Sequence, residues 1–162
     1  MYLLDTGLLL DLRRGEAGGC APGLVGWAGG VARQRMFLSV VSLIELERAA
    51  AAAERKARDL GLAWRQWIDE QILPAFDGQI LPIDAAIARR QAELPLADTR
   101  DALLAASALA HNLTLATYRA AQFKHGKLKT FDPRGYEPDM ESDWREAART
   151  GSAWLKNLFV RA

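Results

Sequence analysis

Short runs of apolar residues along the chain predict strands, and the first of them has the pattern of a strand buried on both faces. In Tyr2–Asp5 the apolar residues are consecutive rather than alternating with polar ones. Consecutive apolar residues are typical of parallel strands that are covered by helices on both sides. The five predicted strands are Tyr2–Asp5, Met36–Leu38, Ile80–Ile83, Leu113–Thr117 and Leu128–Phe131.

Between these strands, apolar residues recur at helical spacing. The predicted helices are Ser42–Arg58, Leu60–Phe76, Ala85–Glu93 and Thr99–His111. Residues 15–30 are rich in glycine and are predicted to form a loop. Strands that alternate with helices indicate an α/β fold with three α/β/α layers. The central sheet is expected to be mostly parallel and to contain about five strands.

The segment after Pro138 has a helical pattern of its own. Asp143 and Glu146 have the spacing of a capping box, and Leu155 and Leu158 fall on one apolar helical face. We therefore predict a domain over residues 1–138 and a C-terminal helical extension over residues 139–162. The apolar face is expected to pack on the core of the same domain.

Composition limits the classes of function. The 162 residues include 21 Lys and Arg against 20 Asp and Glu, a net charge of +1. The chain therefore has no overall basic field, and any contact with nucleic acid must be local. The single cysteine, Cys20, excludes an internal disulfide and fits a reducing compartment. With no apolar run of about 18 residues, a membrane span is not expected, and the cytoplasm is the predicted location.

Three acidic residues lie at the ends of predicted strands or at the starts of predicted helices. Asp5 ends the first strand, and Glu45 and Asp101 lie near the starts of two helices. Each also has a structural explanation, because Ser42 with Glu45 and Asp98 with Asp101 have the spacing of capping boxes. A helix cap is the more frequent role for any one of these acids.

The predicted topology favours a joint role for the three acids. In a parallel sheet, the strands end where the following helices begin, so all three side chains are expected at one edge. Three carboxylates without a cation would repel one another, and a hard divalent cation resolves that conflict. Carboxylate oxygens suit Mg²⁺ or Mn²⁺. Such an ion lowers the pKa of a bound water and neutralises charge on a phosphodiester.

The same segments resemble the motifs of VapC-type PIN-domain toxins. The resemblance runs from residue 1 to about residue 135, with the blocks in the family's order. It is carried by Met1–Thr6, Ser39–Leu46, Asp101–Ala108, Leu113–Thr117 and Phe131–Pro133.

This resemblance implies a PIN-like fold and a metal-dependent ribonuclease, the toxin of a toxin–antitoxin pair. Asp5, Glu45 and Asp101 would be the catalytic residues, and Asp5 and Asp101 would hold Mg²⁺ or Mn²⁺. RNA would be the substrate, a cognate antitoxin the protein partner, and a homodimer the assembly. The alternative is a catalytically impaired PIN fold that serves as a protein- or RNA-binding module.

Two positions depart from the family pattern. Arg119 stands where the family usually has Asp or Asn, and Gln122 stands where it often has a further Asp. Arg119 has two open roles: it points outward and binds an RNA phosphate, or it pairs with Asp5 or Asp101 and replaces the metal. The residues expected to contact RNA are Thr6, Arg119, Lys124 and Lys127.

Two other families are alternatives for the segment that contains the first motif. Leu3–Gly7 matches the signature of retroviral-type aspartic proteases, but those enzymes are all-β and need two such Asp residues. A dinucleotide-binding fold needs Gly-x-Gly-x-x-Gly after its first strand, whereas here Leu8–Leu10 follow Gly7. The sequence therefore favours the metal-dependent nuclease over both.

Overall fold

A five-stranded, fully parallel sheet forms the centre of the protein in this computed structural model, which describes residues 1–15, 19–124, 126–137, 154–155 and 158. The strands are β1 (Tyr2–Leu4), β2 (Met36–Ser39), β3 (Ile80–Leu81), β4 (Thr114–Ala116) and β5 (Lys129–Phe131). Their order across the sheet is β3-β2-β1-β4-β5, so β1 is the central strand. All five predicted strands are present. Four lie at or within the predicted range, and β2 extends one residue beyond it, to Ser39.

Helices cover both faces of this sheet. They are α1 (Thr6–Arg14), α2 (Pro22–Gly30), α3 (Val40–Lys56), α4 (Arg58–Trp67), α5 (Leu73–Ala75), α6 (Ala85–Ala92) and α7 (Thr99–Ala110). A π-helical turn, Ile68–Ile72, joins α4 to α5. The predicted helix over Leu60–Phe76 thus corresponds to α4, this turn and α5 together.

Two apolar clusters make up the core, one on each face of the sheet. The larger contains Leu8, Leu24 and Leu46 from α1, α2 and α3, together with Trp67 from α4. The smaller joins Leu3 and Leu115 of the sheet to Leu104 and Ala108 of α7. Because each cluster lies between helices and the sheet, the predicted three-layer α/β/α fold is confirmed.

The prediction of a loop over residues 15–30 is wrong for most of its length. Pro22–Gly30 form α2, which buries Leu24, Trp27 and Ala28. Pro22 suits the first turn of a helix, where its missing N–H costs nothing. Gly23 is needed for packing, since a Cβ there would lie 2.5 Å from the carbonyl oxygen of Pro133. Tertiary contact, which local propensity does not register, explains this glycine.

The described part of the C-terminal segment packs on the larger cluster. Leu155 and Leu158 are buried there, and Trp67 Nε1 donates a hydrogen bond to the carbonyl oxygen of Leu158 at 2.8 Å. The division into a domain over residues 1–138 and a helical extension over residues 139–162 stays a prediction. The predicted capping box of Asp143 and Glu146 lies outside the described residues. Within the part of the chain that the structure describes, no helix has the length and apolar character needed to span a membrane.

Candidate active site

Asp5 lies at the carboxyl end of the central strand, where the chain turns into α1. Its backbone N–H donates to the carbonyl oxygen of Ala116 on β4, which fixes the strand end. Asp5 occupies the N-cap position of α1, yet its side chain makes no capping hydrogen bond. Its carboxylate instead lines a cavity at this edge of the sheet, and the side chain is only 8% exposed. The cap explanation therefore does not account for Asp5.

Glu45 reaches the same cavity from α3. The helix begins at Val40 with Ser39 as its N-cap, so Glu45 lies in the second helical turn rather than the first. The predicted capping box of Ser42 and Glu45 is therefore wrong, and the Ser42 hydroxyl donates to the carbonyl oxygen of Leu4 instead.

Two donors hold the Glu45 carboxylate. The Thr6 hydroxyl donates one hydrogen bond to it, and Arg100 forms an ion pair with it at 3.1 Å. Glu45 is thus fixed on the cavity wall by contacts from α1 and α7.

Asp98 and Asp101, which were predicted to form a capping box together, have different roles in the structure. Asp98 is the N-cap of α7 and accepts hydrogen bonds from the backbone N–H groups of Arg100 and Asp101. Because a hydrogen bond from the Arg100 side chain and these backbone hydrogen bonds favour its charged form, the pKa of Asp98 falls to about 2. With the cap supplied by Asp98, the Asp101 carboxylate faces the cavity.

Arg119 joins Asp101 to Asp5. Its guanidinium donates to both Asp101 oxygens, at 2.7 and 2.8 Å, and its Nη2 also lies 3.2 Å from Asp5 Oδ2. One nitrogen therefore contacts both carboxylates. The hydrogen bonds to Asp101 raise the pKa of Arg119 further above its already high value, so this charge is permanent. Of the two roles left open by the sequence, the structure has Arg119 paired with the acids.

Thr117 orients the Asp5 carboxylate from the protein interior. Its side chain is fully buried, and its hydroxyl donates to Asp5 Oδ2 at 2.6 Å. The same hydroxyl accepts the backbone N–H of Arg119 at 3.1 Å. A single buried hydroxyl thus fixes both the strand-ending acid and the start of the turn that carries Arg119.

The cavity itself has a volume of about 410 Å³ and balanced charge. Its lining includes three acidic residues and three arginines, Arg48, Arg100 and Arg119. Among the described residues, no three His, Cys, Asp or Glu side chains converge closely enough to hold one metal ion. The acids therefore form a pair, Asp5 and Asp101, with Glu45 held separately.

The residues predicted to contact RNA are only partly brought together. Thr6 and Arg119 line the cavity. Lys127 lines a different groove, between α6 and α7, and Lys124 is exposed without lining the cavity.

Sequence reasoning missed three residues of the site: Arg48, Arg100 and Thr117. Arg48 follows Glu45 by three positions in a helix, a spacing that puts both on one face. Arg100 directly precedes Asp101. Thr117 ends a predicted strand at the same edge as Asp5.

Comparisons with known proteins agree with this fold. The PIN domain family model matches residues 2–127. Toxin FitB of Neisseria gonorrhoeae is 28% identical over 141 residues, which are 82% of this chain and 98% of that protein. VapC ribonuclease Y4jK of Sinorhizobium fredii is 25% identical over 146 residues, 85% of this chain and 99% of that protein.

A solved structure extends the likeness to three dimensions. The crystal structure of FitAcB from Neisseria gonorrhoeae superposes with a TM-score of 0.75 at 25% identity, covering 83% of this chain and 99% of that one. The family match spans more than three quarters of the sequence and includes all three cavity carboxylates. The chain belongs to the PIN domain family.

Proposed function

We propose that this protein is a metal-dependent ribonuclease, the toxin of a toxin–antitoxin pair, which hydrolyses RNA phosphodiester bonds with Mg²⁺ or Mn²⁺. Membership of the PIN family and relatives that carry the names toxin and ribonuclease support this function. The observation that carries it is the convergence of Asp5 and Asp101 on one cation, the Arg119 guanidinium. Two residues 96 positions apart in sequence are thereby held as a cation-binding pair.

The donor set fits a hard divalent cation. Mg²⁺ is usually bound by one or two carboxylates and keeps several waters. Asp5 and Asp101 are such a pair, and the bridging position of Arg119 Nη2 gives evidence that one cation can contact both. These two residues would hold the ion, and the open cavity leaves room for water and a phosphate. When bound, the ion supplies a water of lowered pKa and neutralises charge on the phosphodiester.

The chain's own residues provide the remaining chemistry. Thr117 fixes Asp5 through a buried hydrogen bond, and the Asp98 cap leaves Asp101 free to face the cavity. Glu45 lines the same cavity and would accept a proton from the attacking water at a carboxylate oxygen. Arg48 and Arg100 line the same cavity, and their guanidinium groups suit the non-bridging oxygens of a phosphate.

Substrate and partners follow from the same reasoning. RNA would enter the open cavity against Thr6 and Arg119, with Lys124 and Lys127 as more distant contacts. A cognate antitoxin would silence the protein, a homodimer would be its assembly, and the cytoplasm would be its location.

A second candidate is a PIN fold kept for binding RNA or protein without catalysis. The observation that favours it is Arg119, which neutralises both proposed metal ligands. In this candidate the acids and Arg119 form a permanent structural network.

A cleavage assay separates the two candidates. Purified protein, free of antitoxin, would be titrated with Mn²⁺ on a structured RNA beside Asp5→Asn and a matched control, Asp69→Asn. Asp69 is exposed and does not line the cavity. We expect the wild type and Asp69→Asn to cut the RNA and Asp5→Asn to lose at least about 100-fold in rate, because a metal ligand is lost. Equal activity, or equal inertness, of all three proteins would refute the ribonuclease.

A further inference from the structure

We propose that Arg119 is an internal counter-ion that occupies the metal position and exchanges with the divalent ion when a phosphate enters. The proposal rests on the proposed function, since it concerns the same pair of acids. It adds a coupling: RNA phosphate and metal bind the cavity cooperatively because both require Arg119 to leave Asp5 and Asp101.

The first step is the position of the guanidinium. Nη2 of Arg119 lies 2.8 Å from Asp101 Oδ1 and 3.2 Å from Asp5 Oδ2, while Nη1 lies 2.7 Å from Asp101 Oδ2. Two parallel hydrogen bonds to one carboxylate are the strongest geometry that Arg offers. A divalent ion that binds Asp5 and Asp101 must take the place of Nη2, so the two cations exclude each other.

The second step is that Arg119 is able to leave. Its side chain is 41% exposed, in contrast with 8% for Asp5 and 15% for Asp101. Its other side-chain contacts among the described residues are peripheral: Gln122 Oε1 at 3.5 Å and the Phe123 ring at 5.5 Å. The backbone at Arg119 stays fixed by Thr117, so rotation of the side chain alone vacates the position.

The third step is what draws Arg119 away. A phosphate presents the same planar pair of oxygens to a guanidinium as a carboxylate does. Arg100 on the cavity wall already pairs with Glu45 and Asp98, so Arg48, which has no ion pair among the described residues, supplies the positive charge that an entering phosphate meets. Once Arg119 turns to the phosphate, Asp5 and Asp101 lose their counter-charge and attract a divalent ion. By linkage, the metal must raise the affinity for the phosphate by the same factor.

The experiment measures Mn²⁺ binding by calorimetry, with cleavage not required. Arg119→Gln is compared with the wild type and with Arg65→Gln as the matched control. Arg65 also pairs with two carboxylates, Glu47 and Glu54, and is 44% exposed, but it lies outside the cavity. We expect Arg119→Gln to bind Mn²⁺ about 10- to 100-fold more tightly than the wild type. The expected gain in affinity is not larger because solvent screens the partly exposed ion pairs of Arg119. Arg65→Gln should bind Mn²⁺ like the wild type.

Two further measurements keep the test decisive. A 2′-O-methyl RNA hexanucleotide, shown intact afterwards by gel, should tighten Mn²⁺ binding by the wild type, and this arm needs no variant to fold. The same oligonucleotide should have little effect on Mn²⁺ binding by Arg119→Gln. Mn²⁺ should also raise the unfolding midpoint of Arg119→Gln more than that of the wild type. Equal Mn²⁺ affinity of wild type and Arg119→Gln, or no effect of the oligonucleotide on the wild type, would overturn the proposal.

Failure of this proposal is distinct from failure of the ribonuclease. If the wild type cuts RNA with Mn²⁺ through Asp5 but Arg119→Gln binds Mn²⁺ no better, the nuclease stands and the exchange is wrong. If Arg119→Gln binds Mn²⁺ tightly while no protein cuts RNA, the exchange stands and the nuclease is wrong.

Discussion

The buried hydroxyl of Thr117 offers a direct test of how the site is built. Thr117→Val keeps the shape of the side chain and removes its hydroxyl, which donates to Asp5 at 2.6 Å and accepts the Arg119 N–H at 3.1 Å. Since the side chain is fully buried, water cannot replace the lost group. The substitution thus deletes two hydrogen bonds without creating a cavity.

The expected cost follows from the charge on Asp5. A hydrogen bond to a charged group contributes about 1.5–3 kcal/mol, and the Arg119 N–H adds a smaller amount. We therefore expect Thr117→Val to lower the free energy of unfolding by about 2–3 kcal/mol. For a chain of this size the unfolding midpoint should fall by about 5–10 °C. Mn²⁺ affinity should fall by about tenfold, because Asp5 loses the partner that orients it.

Urea unfolding followed by circular dichroism measures this stability, and calorimetry measures the Mn²⁺ affinity. Thr114→Val is the matched control, because Thr114 lies on β4, the strand that Thr117 directly follows, and its hydroxyl has no hydrogen-bond partner among the described residues. Its stability should change by less than about 0.5 kcal/mol. If Thr117→Val is no less stable than Thr114→Val, the hydrogen bond to Asp5 does not contribute, and the orienting role of Thr117 is wrong.

Two further predictions concern the helices around the site. Gly23→Ala should destabilise the protein by about 1–3 kcal/mol in urea unfolding, because its Cβ would lie 2.5 Å from the carbonyl oxygen of Pro133. Gly7→Ala is the control and should not destabilise the protein, because the space around its Cβ is open. Asp98→Asn tests the cap of α7. Arg100 and the backbone lower the pKa of Asp98 to about 2. The charged form therefore stabilises the fold above about pH 4, and that contribution is lost as the pH falls towards 2. The difference in urea midpoint between wild type and Asp98→Asn should therefore shrink between about pH 5 and pH 2.5, and a constant difference would contradict this explanation.

The strands of the sheet were predicted well because each strand is marked by a run of apolar residues within its own segment. Runs such as Tyr2–Asp5 are apolar since both faces of the strand are buried, and that demand is visible residue by residue. The prediction failed at α2, whose glycines argue for a loop. Gly23 is required by a contact with a segment more than 100 positions away, and no local pattern records such a contact.

The sequence predicted which acidic residues lie in the candidate site, but it did not predict the hydrogen bonds and ion pairs between the side chains. Asp5, Glu45 and Asp101 do line one cavity, as the parallel topology implied, although their catalytic roles stay predictions. The start of α3 was placed too late, because Ser39 and Ser42 are both acceptable caps. In the structure the Ser39 hydroxyl accepts the capping hydrogen bond from the Val41 N–H, whereas the Ser42 hydroxyl donates to Leu4. The direction of Arg119 was left open, since a side-chain rotamer depends on neighbours that the sequence alone does not position.

The central place of β1 in the sheet has a consequence for protein synthesis. Asp5 is made first, but Thr117 and Arg119, which hold it, are made more than 110 residues later. Until β4 has emerged, β1 lacks one of its two neighbouring strands. Asp5 then also lacks the Thr117 hydroxyl and the Arg119 guanidinium. A chain that stops early on the ribosome therefore lacks an assembled site. Under the proposed function, this order of synthesis means that an unfinished chain lacks the means to cut RNA.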